Sequence, residues 1–270
     1  MNRSLRVVAV GLAVALSLAA CGSKGSSSTS GGGSSGSIKA GPGIADKTIT
    51  LGVLTDLSGV FAPLAGPLTK ANQMFWSDQN ANGGVCGRQV KLIIKDHGYD
   101  PQKAVVQYRD MSPKIAGLEQ LLGSPITAAL LPTLKQDSMI SLLSAWPPSL
   151  LSNDFIIEVG APYDIEQINA LDYLKSKGMI KSGDKIGHVY FEGEYGEGGL
   201  AGTKYFASKN GMSVVEQKIQ ATDEDMSGQV AALKRAGVNV IAVTTATLMH
   251  VRFRAAPLLG GPDLVVLRES

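Results

Sequence analysis

The chain has 270 residues, with 25 Lys and Arg against 23 Asp and Glu, for a formal net charge of +2. A balance this close to neutral argues against a nucleic-acid partner, which usually leaves a basic stripe. It also leaves no polybasic run for a membrane surface.

In chain order, Arg3 and Arg6 come first, followed by an apolar run from Val7 to Ala20. That run is shorter than the roughly 20 residues a helix needs to cross a ~30 Å hydrocarbon layer. It fits the h-region of a secretory signal with small residues before the cut. Leu18-Ala19-Ala20-Cys21 resembles a bacterial lipobox. The resemblance implies removal of 1–20, acylation (palmitate) of the Cys21 thiol, and a mature protein lipid-anchored on the extracytoplasmic face of the cell membrane. An ordinary secretory signal with an incidental cysteine is the alternative. Cleavage removes two basic residues and no acid, so the mature chain is close to uncharged. Residues 21–47 form a Ser/Gly-rich tether, too poor in apolar surface to offset the entropy of ordering. No later stretch is long and apolar enough for a transmembrane helix.

The folded part begins at Thr48. Ile49, Leu51 and Val53 alternate in a strand that enters the loop Asp56-Leu57-Ser58-Gly59. Pro67 to Asn80 reads as a helix with Leu68, Ala71 and Phe75 on one face, stopped by Asn82-Gly83-Gly84. Val90 to Asp96 is the next strand. A helix follows from Pro101, a good first-turn residue, through Ala104, Val105 and Tyr108. Leu118 to Leu122 is a strand, after which Ser124 caps a helix carrying Ile126, Leu130 and Leu134. Met139 to Leu143 is a fourth strand, ended by Trp146-Pro147-Pro148. The rhythm then restarts with strands at Phe155 to Val159, Lys185 to Phe191, Ser213 to Ile219 and Val238 to Val243. Helices alternate with them at Ile165 to Lys177, Leu200 to Lys209 and Met226 to Ala236.

Strands that alternate with helices form parallel sheets covered on both faces. The expected fold class is α/β, with two Rossmann-like lobes. One spans 48–150 and the second 151–247, with 248–270 as a tail. The junction falls near Ser149 to Asn153, and one continuous doubly wound domain is the alternative. Ligands of such sheets bind outside the carboxyl ends of the strands. That rule selects Asp56 to Gly59, Gly123-Ser124, Ser144 to Trp146, Glu192 to Gly198 and Thr244 to Thr247, which two facing lobes set across a cleft.

These segments carry a family resemblance, together with Asn82-Gly83-Gly84-Val85, Gly87-Arg88, Asp96, Asp100-Pro101-Gln102-Lys103-Ala104 and Tyr195-Gly196-Glu197-Gly198. The chain resembles the substrate-binding lipoproteins of ABC importers of the branched-chain amino-acid (Leu/Ile/Val-binding) type, which have the type I periplasmic-binding-protein fold. No single motif is specific; order and spacing from about Thr48 to Val243, with the lipobox, carry the match. The resemblance implies a monomeric receptor that captures a small amino acid or related polar or carboxylate solute and presents it to an ABC permease. No cofactor, metal or reaction is implied. It implies a ligand carboxylate at the N-terminus of the helix opened by Ser124. The ligand-binding residues it implies are Ser58, Leu64, Ser124, Ser144, Ala145, Trp146 and Tyr195. Trp146 stands where amino-acid binders often carry a small hydroxyl residue, so its indole changes the pocket volume. Asp56 either receives a ligand amine or shapes a turn. Some family members join the positions of Tyr99 and Gly123 by a disulfide; this chain has no Cys at either. Cys86 is then a buried thiol or half of a bridge whose partner the chain lacks.

Catalytic signatures are missing from the sequence: there is no Gly-x-Ser-x-Gly elbow, no His-Glu-x-x-His and no Cys-x-x-Cys. Gly193, Gly196, Gly198 and Gly199 lack the Lys-Ser/Thr of a P-loop and read as turn formers. His97, His188 and His250 are scattered, and His97 reads as a solvated loop residue. A sensory or regulatory lipoprotein of the same fold is the alternative function. Leu248 to Ser270 does not resemble the family, whose chains usually run longer; the resemblance therefore implies an incomplete second lobe and an atypical tail over 248–270, and a truncated or frameshifted, non-functional product is a further expectation.

Overall fold

The computed structural model describes residues 40–221, 223 and 225–245, and the backbone of 266–268. The signal, Cys21 and His250 lie outside the described residues, as does most of the tail.

The first sheet contains β1 (Thr48–Thr55), β2 (Gln89–Asp96), β3 (Leu118–Leu122), β4 (Ser141–Ser144) and β5 (Ile156–Glu158). All pairs are parallel, in the order β2-β1-β3-β4-β5. Parallel neighbours need crossovers, and α1 (Ala62–Ala81), α2 (Pro101–Met111) and α3 (Ser124–Gln136) supply them. Asp100 starts α2 by accepting from the amides of Gln102 and Lys103, at 2.8 and 3.2 Å. Tyr108 and Met111 of α2, with Ile126, Leu130 and Leu134 of α3, pack with Leu54, Leu121 and Leu143 of the sheet into one buried cluster.

The second sheet has the order β7-β6-β8-β9, again parallel. Its strands are β6 (Lys185–Phe191), β7 (Ser213–Ile219), β8 (Val240–Thr244) and β9 (Val266–Arg268). Its helices are α4 (Tyr163–Ser176), α5 (Glu194–Asn210) and α6 (Ser227–Ala236). Strand alternation divides the apolar residues between two faces. Ile186, Val240 and Ala242 pack with Leu171, Leu174 and Phe206 of α4 and α5. Val189, Phe191, Ile241 and Val243 pack the other way, with Leu233 of α6.

Four elements depart from the sequence pattern. Residues 156–158 do not open the second lobe; Ile156, Ile157 and Glu158 pair with Ser141, Leu142 and Leu143 of the first sheet. Trp146-Pro147-Pro148 only turns the chain, through a short 3-10 turn at Pro148–Leu150, and Leu150 anchors it in the first core. The crossing to the second lobe is therefore 159–162.

Helix α1 starts at Ala62, a turn ahead of Pro67, and its expected inner face points out. Phe75 is 59% exposed, whereas Ala65 and Thr69 are buried. Gln120 of β3 supplies the reason. A buried amide needs polar partners. Its Oε1 accepts from Asn72 at 2.8 Å, and its Nε2 donates to Thr55 at 2.7 Å and to Thr69 at 3.2 Å. Turning Thr69 and Asn72 inward turns Leu68 and Phe75 outward.

Helix α5 begins at Glu194, so the glycines read as a turn form its first turns. Gly196, and Gly202 further along, serve close approach. A Cβ on Gly196 would fall 2.0 Å from the Phe191 carbonyl oxygen, and one on Gly202 2.3 Å from that of Asp164. Finally, β9 places a strand within 248–270, where the sequence showed no element.

Candidate functional site

The turn from β3 into α3 is tight. Gly123 sits at φ 104°, where a side chain would be strained, and a Cβ there would also fall 2.9 Å from the Tyr99 ring. Tyr99 and Gly123 are thus neighbours. Ser124 is the first residue of the helix and not its cap: no side chain caps α3. The Thr127 amide and hydroxyl both donate to the Gly123 carbonyl, each at 2.9 Å. The Ser124 hydroxyl, in a residue only 1% exposed, has no hydrogen-bond partner. Pro125 has no amide hydrogen, so the Ser124 and Ile126 amides remain at the helix end without intrahelical acceptors. No acidic residue stands in the first turn. Such an end attracts an anion.

Ser124 borders a cavity of about 320 Å³ at the strand tips. Leu64, Ser144, Ala145, Trp146 and Tyr195 border it too, so six of the seven residues expected from the sequence come together. Ser58 does not join them. It is exposed, and its hydroxyl donates to Asp96 Oδ2 at 2.7 Å. Desolvation pushes the Asp96 carboxyl up, but hydrogen bonds from Ser58 and from the Leu57 and Gly98 amides, with Lys103 nearby, leave it below its ordinary value.

Asp56 shapes a turn. It is fully buried, and it accepts from the amides of Ser58 and Gly59 and, at 2.9 Å, of Phe61. That turn carries Phe61 across to the second lobe. Its ring centroid lies 4.7 Å from Tyr99, 6.0 Å from Tyr195 and 6.5 Å from Phe191. Tyr195, at the start of α5, stacks edge-on with Tyr163 at 4.7 Å and donates its hydroxyl to the Thr245 carbonyl at 3.3 Å. Trp146 meets Tyr163 edge-on at 6.0 Å. The result is a mainly apolar cavity with five aromatic residues and no charged side chain on its lining.

Phe61, Tyr99, Val159 and Tyr163 also border the cavity and were missed. Tyr99 follows the tip of β2, which the strand-end rule selects but which the reading passed over. Phe61 lies just beyond the Asp56 loop. Val159 opens the crossing and Tyr163 is the first residue of α4, two residues ahead of the expected helix start.

His97 is fully buried, contrary to the solvated reading, because its Nδ1 accepts the Tyr99 amide at 3.0 Å and holds that loop. Burial pushes its pKa down against the pull of Asp56 and Asp96. Cys86 is exposed rather than buried, and free. Among the described residues no group of three His, Cys, Asp or Glu is placed to hold a metal ion, and no helix is long and apolar enough to cross a membrane.

Two parallel sheets whose strand tips share one ligand-sized cavity define the two-lobed class of α/β binding folds. Residues 48–256 match the periplasmic binding protein family, and the chain belongs to that family. The match runs into the stretch that the sequence reading left outside the resemblance. No curated protein matches the chain. Among solved structures, it is similar to a fatty acid ABC transporter substrate-binding protein from Thermomonospora curvata. The identity is 46% and the TM-score 0.75, over 76% of this chain and 53% of that one. A branched chain amino acid ABC transporter protein from Thermus thermophilus with bound valine shares the fold at 16% identity and TM-score 0.67, over 75% and 53%. So does a solute binding protein from Rhodopseudomonas palustris BisB5 in complex with 3,4-dihydroxybenzoic acid, at 15% identity and TM-score 0.66, over 81% and 61%. The chain spans about half the length of the first two structures, 53% of each.

Proposed function

We propose that this chain is the extracytoplasmic solute receptor of an ABC importer, lipid-anchored through Cys21, and that its solute is an apolar carboxylate of fatty-acid type. The observation that carries the reading is the pairing of one unpartnered, buried Ser124 hydroxyl at a helix N-terminus with aromatic and aliphatic walls. The carboxylate meets the Ser124 hydroxyl and the free amides of α3, where the helix dipole favours negative charge. The hydrocarbon lies between Trp146, Leu64 and Tyr195. Burial of each CH₂ stabilises the complex by about 0.8 kcal/mol.

An amino acid fits this enclosure less well. Its ammonium needs a buried acceptor of negative charge. The nearby candidate, Asp56, already accepts three loop amides. The 46% identity to a fatty acid receptor supports the same choice.

Isothermal titration of the full chain with decanoate and with leucine tests the reading. Decanoate is expected to bind at least tenfold more tightly. Ser124→Ala is expected to weaken decanoate about tenfold or more, since a hydrogen bond to a charged group contributes about 1.5–3 kcal/mol. Preferred binding of leucine would overturn the solute class.

A further inference from the structure

Trp146 touches three parts of the molecule at once. Its ring borders the cavity. Its carbonyl accepts the amide of Tyr163, the first residue of α4, at 3.0 Å. Its indole lies against Gly160, so closely that a Cβ there would fall 3.0 Å from Cε2, 3.1 Å from Nε1 and 3.3 Å from Cδ2. Gly160 belongs to 159–162, the segment that leaves β5 of the first sheet and enters α4 of the second lobe. Its φ is not in the left-handed region, so the backbone conformation does not call for glycine. Glycine at such a position serves close approach. The three nearest atoms that a Cβ at Gly160 would meet all belong to one side chain, the Trp146 indole.

We propose that Gly160 is a positioning and specificity-determining residue: by lacking a side chain it seats the Trp146 indole in the cavity wall and ties that wall to the crossing between the lobes. Side-chain volume at Gly160 therefore sets how much apolar solute the cavity accepts. A solute pressing on the indole also acts on the crossing, where backbone changes of lobe closure concentrate. The proposal rests on the reading of the chain as an apolar-carboxylate receptor.

The chain has two tryptophans, Trp76 and Trp146. Trp76→Phe leaves Trp146 as the reporter. In that background decanoate is titrated by emission and by calorimetry into the parent, Gly160→Ala and Gly160→Val, and by calorimetry into the same set carrying Trp146→Leu. Decanoate is expected to shift Trp146 emission in the parent. Gly160→Ala and Gly160→Val should weaken decanoate by about threefold and about tenfold, and both losses should vanish in the Trp146→Leu background, the signature of coupled residues. Gly160→Val failing to fold alone but folding with Trp146→Leu supports the same contact; failure in both backgrounds overturns it. Losses that are absent, or that persist undiminished with Trp146→Leu, overturn this proposal while the receptor reading stands. Absence of decanoate binding to the parent overturns the receptor reading and this proposal with it.

Discussion

His188 is buried in the second lobe with both ring nitrogens engaged, Nδ1 with the Thr203 hydroxyl at 2.8 Å and Nε2 with that of Thr244 at 2.9 Å. Burial, with the Lys204 charge, pushes its pKa down to about 3. The native state therefore keeps His188 neutral while the unfolded chain takes up a proton below the ordinary value of 6.5. Stability is complete above that value and declines as pH falls toward the folded pKa, by about 2 kcal/mol at pH 5. Urea midpoints at pH 7 and pH 5 should separate for the natural chain and converge for His188→Gln. Glu158 carries the opposite sign. Both carboxylate oxygens are buried without a hydrogen-bond partner. Desolvation, with Asp164 nearby, pushes its pKa up to about 7. A raised carboxyl withdraws stability as pH climbs from 4.5 to 7. Glu158→Gln should raise the melting temperature at pH 8 and leave it nearly unchanged at pH 4. Neither group is legible as a titrating site in the sequence, because both shifts come chiefly from burial, which the packing of sheets and helices decides.

At the scale of elements, α5 shows how propensity and packing compete. Ala is favoured over Gly inside a helix by about 1 kcal/mol, so the sequence alone recommends Gly202→Ala. The Asp164 carbonyl, 2.3 Å from the added Cβ, opposes it. Overpacking against backbone costs about 1–3 kcal/mol and exceeds the propensity gain. Gly202→Ala should lower the urea-derived stability by about 1–2 kcal/mol; an increase would contradict the backbone contact between α4 and α5. The same competition misplaced the start of α5. A run of four glycines within seven residues, 193 to 199, reads as turn chemistry unless a neighbouring backbone is known to lie against it.

At the scale of the molecule, the aromatic bridge joins the lobes. Phe61 from the β1–α1 loop packs with Phe191 and Tyr195 of the second lobe. A solute held there contacts both lobes and stabilises them together. Decanoate at 100 times its Kd should raise the unfolding free energy by about 2.7 kcal/mol. Hydrogen exchange should slow at Phe61 and at the start of α5 in parallel. Protection confined to one lobe would contradict a shared cavity.

The order and kind of the elements were legible in the sequence because their signals are local. The bounds of β6 and β7 agreed to the residue, Pro101 marked the start of α2, and β3 agreed at both ends. The strand-end rule likewise reached Gly123, Ser124, Ser144, Ala145, Trp146, Tyr195 and Thr245 of the cavity before any contact was known, whereas Leu64 came from the family resemblance. The partition of strands and faces was decided by tertiary structure. β5 joined the first sheet through pairing with β4, α1 turned its polar side to Gln120, and Phe61, Tyr99 and Tyr163 completed the wall. Each of these depends on groups distant in sequence that meet only when sheets and helices pack, and local periodicity carries no record of such meetings.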